Sequence, residues 1–275
     1  MTIQKLFVWL VVVAGLGYGS WRVWHTSRVQ DWLLDRQKSR LPPAEQIAES
    51  IAAPALNAAA NRRQILNLNE SAHVPDFPAE KNLAIPFTSQ APHANWDTDH
   101  NEFCEEAAVL MVGRYFQRRP IRDRDDAEAA LQQLKAWELD QLGFYYDTTA
   151  AETAQMLVDF YELRVEAITN PTVDDIKRAV ASGQPVIVPA AGRELGNPNF
   201  RSPGPIYHML VIRGYTDDGQ FITNDPGTRN GEEYVYDQEV VMNAIHDWVP
   251  SGDRTVPRNG DVRDGQKVVL IVAEQ

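Results

Sequence analysis

Cysteine is almost missing from this chain of 275 residues; Cys104 is the only one. One cysteine builds neither an internal disulfide nor a thiolate zinc site. Basic residues are also scarce, 26 Lys and Arg against 38 Asp and Glu, for a formal net charge of -12 at pH 7. So acidic a surface repels phosphates and anionic headgroups, and no dense Lys/Arg run offsets it, which argues against nucleic acid as a partner. No repeat of fixed period is present, so solenoid and propeller architectures are excluded. Asp217-Asp218-Gly219 lacks the alternating oxygen ligands of a calcium loop and reads as a turn. No pattern calls for a metal or an organic cofactor.

What is present suffices for one good-sized domain with an appendage. Lys5 precedes an uncharged apolar run, residues 6–21, that ends at Arg22. Such a run is a signal peptide or a short membrane anchor. As a helix it covers about 24 Å, short of the roughly 30 Å hydrocarbon core. Lys5 and Arg22 snorkelling, with Trp21 and Trp24 at the interface, make up the difference. Gly17-Tyr18-Gly19 is a poor cleavage site, so the expectation is an uncleaved anchor over residues 1–24, with the rest of the chain outside the cytoplasm. Residues 25–40 read as an amphipathic helix broken by Leu41-Pro42-Pro43. The stretch 25–81 as a whole reads as a helical, low-complexity spacer, with room for a propeptide role.

The globular domain is expected over 82–275. Its first half reads as helices: Cys104–Phe116, apolar on several faces and so central, then 126–142, 149–161 and 172–182. Thr148 or Thr149 with Glu152 forms a capping-box pattern. Its second half reads as strands at 185–190, 208–215, 220–224, 233–236 and 267–272, with a helix at 238–248. Helices first and antiparallel strands after them make an α+β fold.

Cys104 sits where its helix begins, behind a polar loop. Helix N-termini favour thiolates, and the thiolate is the attacking species. The loop can offer backbone N–H groups and side-chain amides to an oxyanion. A cysteine nucleophile needs an imidazole in reach, and the imidazole needs an acceptor that fixes its tautomer. His208 opens one strand, and Asp225 ends the next in Asn224-Asp225-Pro226-Gly227. A hairpin around 217–219 brings the two within diagonal reach across the ladder, about 7–8 Å. The other reading of Cys104 is a buried small hydrophobe. His93, His100 and His246 read as surface residues, although a metal site from His93, Asp97 and His100 is conceivable. Trp96 and Trp248 read as packing residues, and Trp96 is alternatively a cleft wall.

Together these residues resemble the papain-like cysteine peptidases: Cys at a helix start, His about a hundred residues later at a strand start, and Asp seventeen beyond it. More closely, Ile85-Pro86-Phe87-Thr88-Ser89-Gln90, Asn95-Trp96, Cys104-Glu105-Glu106-Ala107, His208–Tyr215 and Asn224–Gly227 resemble the peptidase C39-like group. That group is related to the bacterial enzymes that remove double-glycine leader peptides. The resemblance spans 82–275. It implies a papain-like fold, with Cys104 on a central helix of the N-terminal half and His208 and Asp225 on a C-terminal antiparallel sheet. It further implies Cys104 as nucleophile, His208 as general base and acid, Asp225 as orienter, and Gln90 as the oxyanion side chain, with peptide or protein as substrate. Gln90 lies fourteen residues before Cys104, so the loop must fold back for it to serve; Asn95 and Asn101 are the alternatives. Glu105 and Glu106 suit the helix dipole but oppose a thiolate. Leader peptidases carry transporter domains that this chain lacks, so double-glycine cleavage does not follow. The same residue order also fits a cell-wall peptide amidase or transglutaminase-like enzyme, and a non-catalytic module of papain-like shape.

Overall fold

The computed structural model describes residues 27–47 and 77–275. The anchor or signal segment expected over 1–24, and most of the spacer, lie outside the described residues. Among the described residues, no helix is long and apolar enough to cross a membrane. The chain divides into two compact units, the first ending at Leu41 and the second running from Pro42 to Gln275.

The described part of the first unit is one helix, α1 (Ser27–Lys38). Arg36 and Lys38 sit in its last turn, where cations suit the negative end of the helix dipole.

The second unit starts with an extended segment. Glu45 bridges Leu83 in parallel. The Glu45 N–H donates to Asn82 O, and the Ala84 N–H donates to Glu45 O, both at 2.8 Å. Lys81 pairs with Glu45. Residues 42–47 thus belong to the same body as strand β1 (Lys81–Asn82).

Three helices follow: α2 (Cys104–Phe116), α3 (Arg124–Gln141) and α4 (Ala150–Tyr161). The last two start on capping side chains. Asp123 accepts from the Asp126 N–H, and Thr149 with Glu152 closes a reciprocal capping box. In contrast, α2 has no side-chain cap, and all thirteen of its residues are buried. An uncapped N-terminus leaves backbone N–H groups free for other partners. The burial explains why apolar residues occupy several faces of α2.

The remaining elements are β2 (Arg164–Thr169), α5 (Val173–Ala181), β3 (Val186–Ala191), a 3-10 turn (Gly192–Leu195), β4 (Tyr207–Tyr215), β5 (Gln220–Asn224), β6 (Tyr234–Asp237), α6 (Gln238–Ala244), β7 (Val249–Pro250), β8 (Gly260–Asp261) and β9 (Val268–Ala273). The main sheet runs β2-β9-β3-β4-β5-β6, with β1 added on β4. Every named pairing in it is antiparallel. All residues of β3 and β4 are buried, which accounts for the apolar run of β3 and of Met209–Ile212 within β4. Near the β1 contact, the ladder of β4 with β5 shifts between Ile212 and Gly214. A Cβ at Gly214 would lie 2.4 Å from Lys81 O, so the close approach of β1 requires glycine there.

Two features depart from the sequence expectation. Strand β2 mixes Arg164, Glu166 and Thr169 with Val165, Ala167 and Ile168, mostly exposed at the sheet edge, and this mixed pattern hides it. Helix α6 stops at Ala244 rather than Trp248, because Ile245 bridges Ala190 and the His246 N–H donates to Pro189 O.

Candidate active site

Strand β4 carries His208, and β5 ends at Asn224, one residue before Asp225. The register pairs Val211 with Asn224, so continuing it sets His208 diagonally across from Asp225. His208 Nε2 donates to Asp225 Oδ1 at 2.8 Å. The imidazole is 1% exposed and the carboxylate 0%. The Phe200 ring meets the imidazole edge to face, 5.2 Å between centroids. Burial alone would raise the Asp225 pKa. The His208 imidazole, with hydrogen bonds from His208, Tyr236 and the Gly227 N–H, outweighs it and holds the carboxyl below its ordinary value. The turn that places Asp225 is tight. Its N–H donates to Gly231 O, and a Cβ at Gly231 would stand 1.7 Å from Asp225 O.

Gln90 approaches from the other side of the chain. Its N–H donates to Pro226 O at 2.9 Å, which fastens the loop beside the Asp225 turn. Its side chain Nε2 donates to His100 O at 2.8 Å, four residues before Cys104. Turns at Ala91–Ala94, Asp97–Asn101 and Asp99–Glu102 fold the intervening loop back on itself. The fourteen-residue spacing is absorbed in this way. One Nε2 hydrogen is held by His100 O, and the second remains to donate; Gln90 Oε1 is buried without a partner. Asn95 contacts Asp97 and His100, and Asn101 donates to Asp97 O; both side chains serve the loop.

Cys104 is the first residue of α2 and is 6% exposed. Its sulfur lies where the Met209 backbone N–H, one residue past His208, favours the thiolate. Three effects oppose that. Burial is the largest; the Glu105 and Glu106 carboxyls add to it and push the thiol well above its ordinary value. The hydrogen bond that the thiol makes runs to Glu105 Oε2, at 2.9 Å, and not to His208. Burial and the neighbouring carboxyls thus favour the protonated thiol.

Beside it lies a set of carboxyl groups, of which the sequence reading anticipated Glu105 and Glu106 but not Glu138 and Glu102. Glu105, Glu106 and Glu138 are all buried, and burial pushes each well above the ordinary carboxyl range. Glu102 is pushed up to about 7, by burial and then by Asp147, against the pull of Arg258. Among the described residues no group of three His, Cys, Asp or Glu side chains could hold a metal ion. The structure does not bring His93, Asp97 and His100 together as one group. His100 is a structural residue, not a surface one: 3% exposed, with its ring between Asp97 Oδ1 at 2.7 Å and Glu128 Oε2 at 2.9 Å. His93 is exposed beside Asp125. Trp248 packs on Tyr207, whereas Trp96 is exposed and packs no core.

Residues 82–256 match the model of the Peptidase_C39 like family. The chain belongs to the C39-like peptidase family. The α+β architecture, helices followed by an antiparallel sheet, agrees with that membership. The chain matches no curated protein. Among solved structures, it is similar to one from Bacillus anthracis described as a "putative C39-like peptidase", with 15% identity and a TM-score of 0.44, over 70% of this chain and 96% of that one. Sequence reasoning missed two side chains at the His208–Asp225 pair, Tyr236 and Asn197, which both donate to Asp225 Oδ2. Tyr236 lies on β6 and Asn197 in the loop after the 3-10 turn. Neither sits near Asp225 in a motif, so only the fold reveals them.

Proposed function

We propose that the chain is a cysteine peptidase that cleaves a peptide bond through Cys104, His208 and Asp225. The observation that carries this reading is the buried His208–Asp225 pair. With Nε2 committed to the carboxylate, Nδ1 is the nitrogen left for a thiol, and the sulfur lies beside the backbone of the next residue. His208 takes the Cys104 proton as the sulfur attacks the scissile carbonyl. The oxyanion accepts from the free Nε2 hydrogen of Gln90 and from the uncapped N-terminus of α2. Collapse of the tetrahedral adduct breaks the C–N bond, and His208 gives its proton to the leaving amine. Water, deprotonated by His208, then hydrolyses the thioester and returns the thiol. Asp225 keeps the imidazole oriented throughout. Substrate must first draw the thiol away from Glu105, since that hydrogen bond competes with the one to His208.

The Glu105 contact favours a second reading, a papain-like module that binds without cleaving. A cell-wall peptide amidase or transglutaminase-like enzyme would use the same site on another substrate. Placement of the domain outside the cytoplasm, held by residues 1–24, is part of the proposal. Full-length protein and Cys104→Ala are incubated side by side with denatured protein peptides and with peptidoglycan stem peptides. New termini produced by the parent alone support hydrolysis, and the pool that is cut names the substrate class. No cleavage of either pool, with partner binding unchanged in Cys104→Ala, leaves the binding module.

A further inference from the structure

Asp225 is fully buried, yet all of its acceptor capacity is used. Oδ1 takes His208 Nε2 at 2.8 Å and the Gly227 N–H at 2.9 Å. Oδ2 takes Tyr236 Oη at 2.6 Å and Asn197 Nδ2 at 3.0 Å. An ionised carboxylate offers about four lone-pair sites, and four donors fill them here. The carboxyl torsion of an Asp is broad when left alone. A donor pair on each oxygen removes that freedom.

The two donors on Oδ2 come from different parts of the fold. Tyr236 is held in β6, opposite Phe221 of β5. It is 5% exposed, and burial together with the Asp225 charge pushes its hydroxyl well above the ordinary value. It therefore keeps its proton and stays a donor across the working pH range. Asn197 also donates to Tyr236 Oη, at 2.7 Å. Tyr236 thus accepts one hydrogen bond and gives one, and the triangle of Tyr236, Asn197 and Asp225 is closed. On its other face Asn197 Oδ1 accepts from the Asn199 N–H and Nδ2, and Asn199 Oδ1 accepts from Asn230. The same loop carries Phe200, whose ring covers His208.

We infer that Tyr236 and Asn197 are positioning residues of the site. By fixing Asp225 through Oδ2 they hold Oδ1 on His208 Nε2, which keeps the imidazole in the Nε2–H tautomer. Asn197 has a second role: it fastens the Phe200 loop over the imidazole. The inference rests on the proposed peptidase reading for its kinetic consequence, but not for its structural one.

The test uses the full chain as parent, Tyr236→Phe and Asn197→Ala, with Cys104→Ala as blank. Tyr236→Phe keeps the ring and removes only the donor. Expected are a kcat about tenfold lower with KM unchanged, and an acid limb of the pH profile moved to higher pH, because Asp225 loses a bond made to its charged form. The imidazole 15N shifts of His208, read without any substrate, should move from the Nε2–H pattern towards a tautomer mixture. Asn197→Ala should do the same and, in addition, make His208 react faster with diethyl pyrocarbonate. A Tyr236→Phe protein with parental 15N shifts and parental pH profile overturns the inference. If the parent cleaves nothing while the shifts move as expected, the peptidase reading falls and the positioning role stands.

Discussion

The thiol of Cys104 is bonded to the carboxyl of the residue that follows it, Glu105 Oε2, at 2.9 Å. Both groups are buried; after burial, the Glu105 carboxyl adds to the thiol's cost of ionising, whereas the bond from Cys104 eases the ionisation of Glu105 against the larger effect of burial. Glu105→Gln keeps the shape and removes the charge. Its Cys104 should react several-fold faster with iodoacetamide at pH 7.5, because a thiol without that neighbour ionises more readily. An unchanged alkylation rate would show that burial alone controls the thiol.

Glu106 and Glu138 form a second contact of this kind, between α2 and α3. Each is 0% exposed, each carboxyl acts on the other's ionisation, and none of their four oxygens has a hydrogen-bond partner. A proton shared between the two would supply one. Around them stand Glu102, Glu105 and Glu152, with Lys135 as the cation. Their folded pKa values are raised, so the folded state holds protons that the unfolded chain releases above about 4.5. Stability from the pair is complete below that pH and is lost as pH rises towards the folded values. The slope is up to about 1.4 kcal/mol per pH unit for each retained proton. Glu138→Gln supplies a donor that needs no proton. Its urea-unfolding stability should fall less steeply between pH 6 and 9 and exceed the parent's at the alkaline end. Parallel curves would rule out the shared proton.

Gln90 lends itself to a kinetic test. Gln90→Ala removes the side-chain donor proposed for the oxyanion, and the expected loss is about a hundredfold or more in kcat with KM little changed. Gln90→Glu should fare no better, since it brings a charge of the wrong sign. Activity within a factor of three of the parent would assign the oxyanion to backbone groups alone.

Arg213 is 3% exposed and ties the domain's first segment to the sheet. Its guanidinium donates to Asn82 Oδ1 at 3.0 Å, and to Ile85 O and Asn224 Oδ1 at 3.1 Å each. Glu233 is 3.4 Å away. Arg213→Ala should cost about 3–5 kcal/mol in chemical denaturation, as breaking a buried ion pair does. Lys should recover only part of it, because a point charge cannot reproduce the planar fork. A loss under about 1 kcal/mol would mean that the contacts are surface-like.

Much of the fold was legible because its elements announce themselves locally. The Thr149–Glu152 box, the apolar runs of β3 and β4 and the helix opening at Cys104 are all written in adjacent residues. His208 and Asp225 were readable as a pair because one hairpin joins them, and register then sets their distance. Longer-range features were silent. Strand β2 is half polar and mostly exposed, since it pairs only with β9 at the sheet edge. His100 reads as a loop residue until Glu128, twenty-eight positions away, closes on its ring. Glu106 and Glu138 look like ordinary helix-surface acids, and only the packing of α2 against α3 makes them costly.

The pairing of Glu45 with Leu83 bears on how the molecule can be shortened. An edge cut at residue 82 would strip β1 of its outer neighbour and leave the Asn82 carbonyl and the Ala84 amide without mates. A trimmed version starting at Pro42 keeps both. Any protease that frees this body from whatever precedes it would therefore do least harm on the amino-terminal side of Pro42, and a processed form beginning after residue 47 would be expected to fray at that margin first.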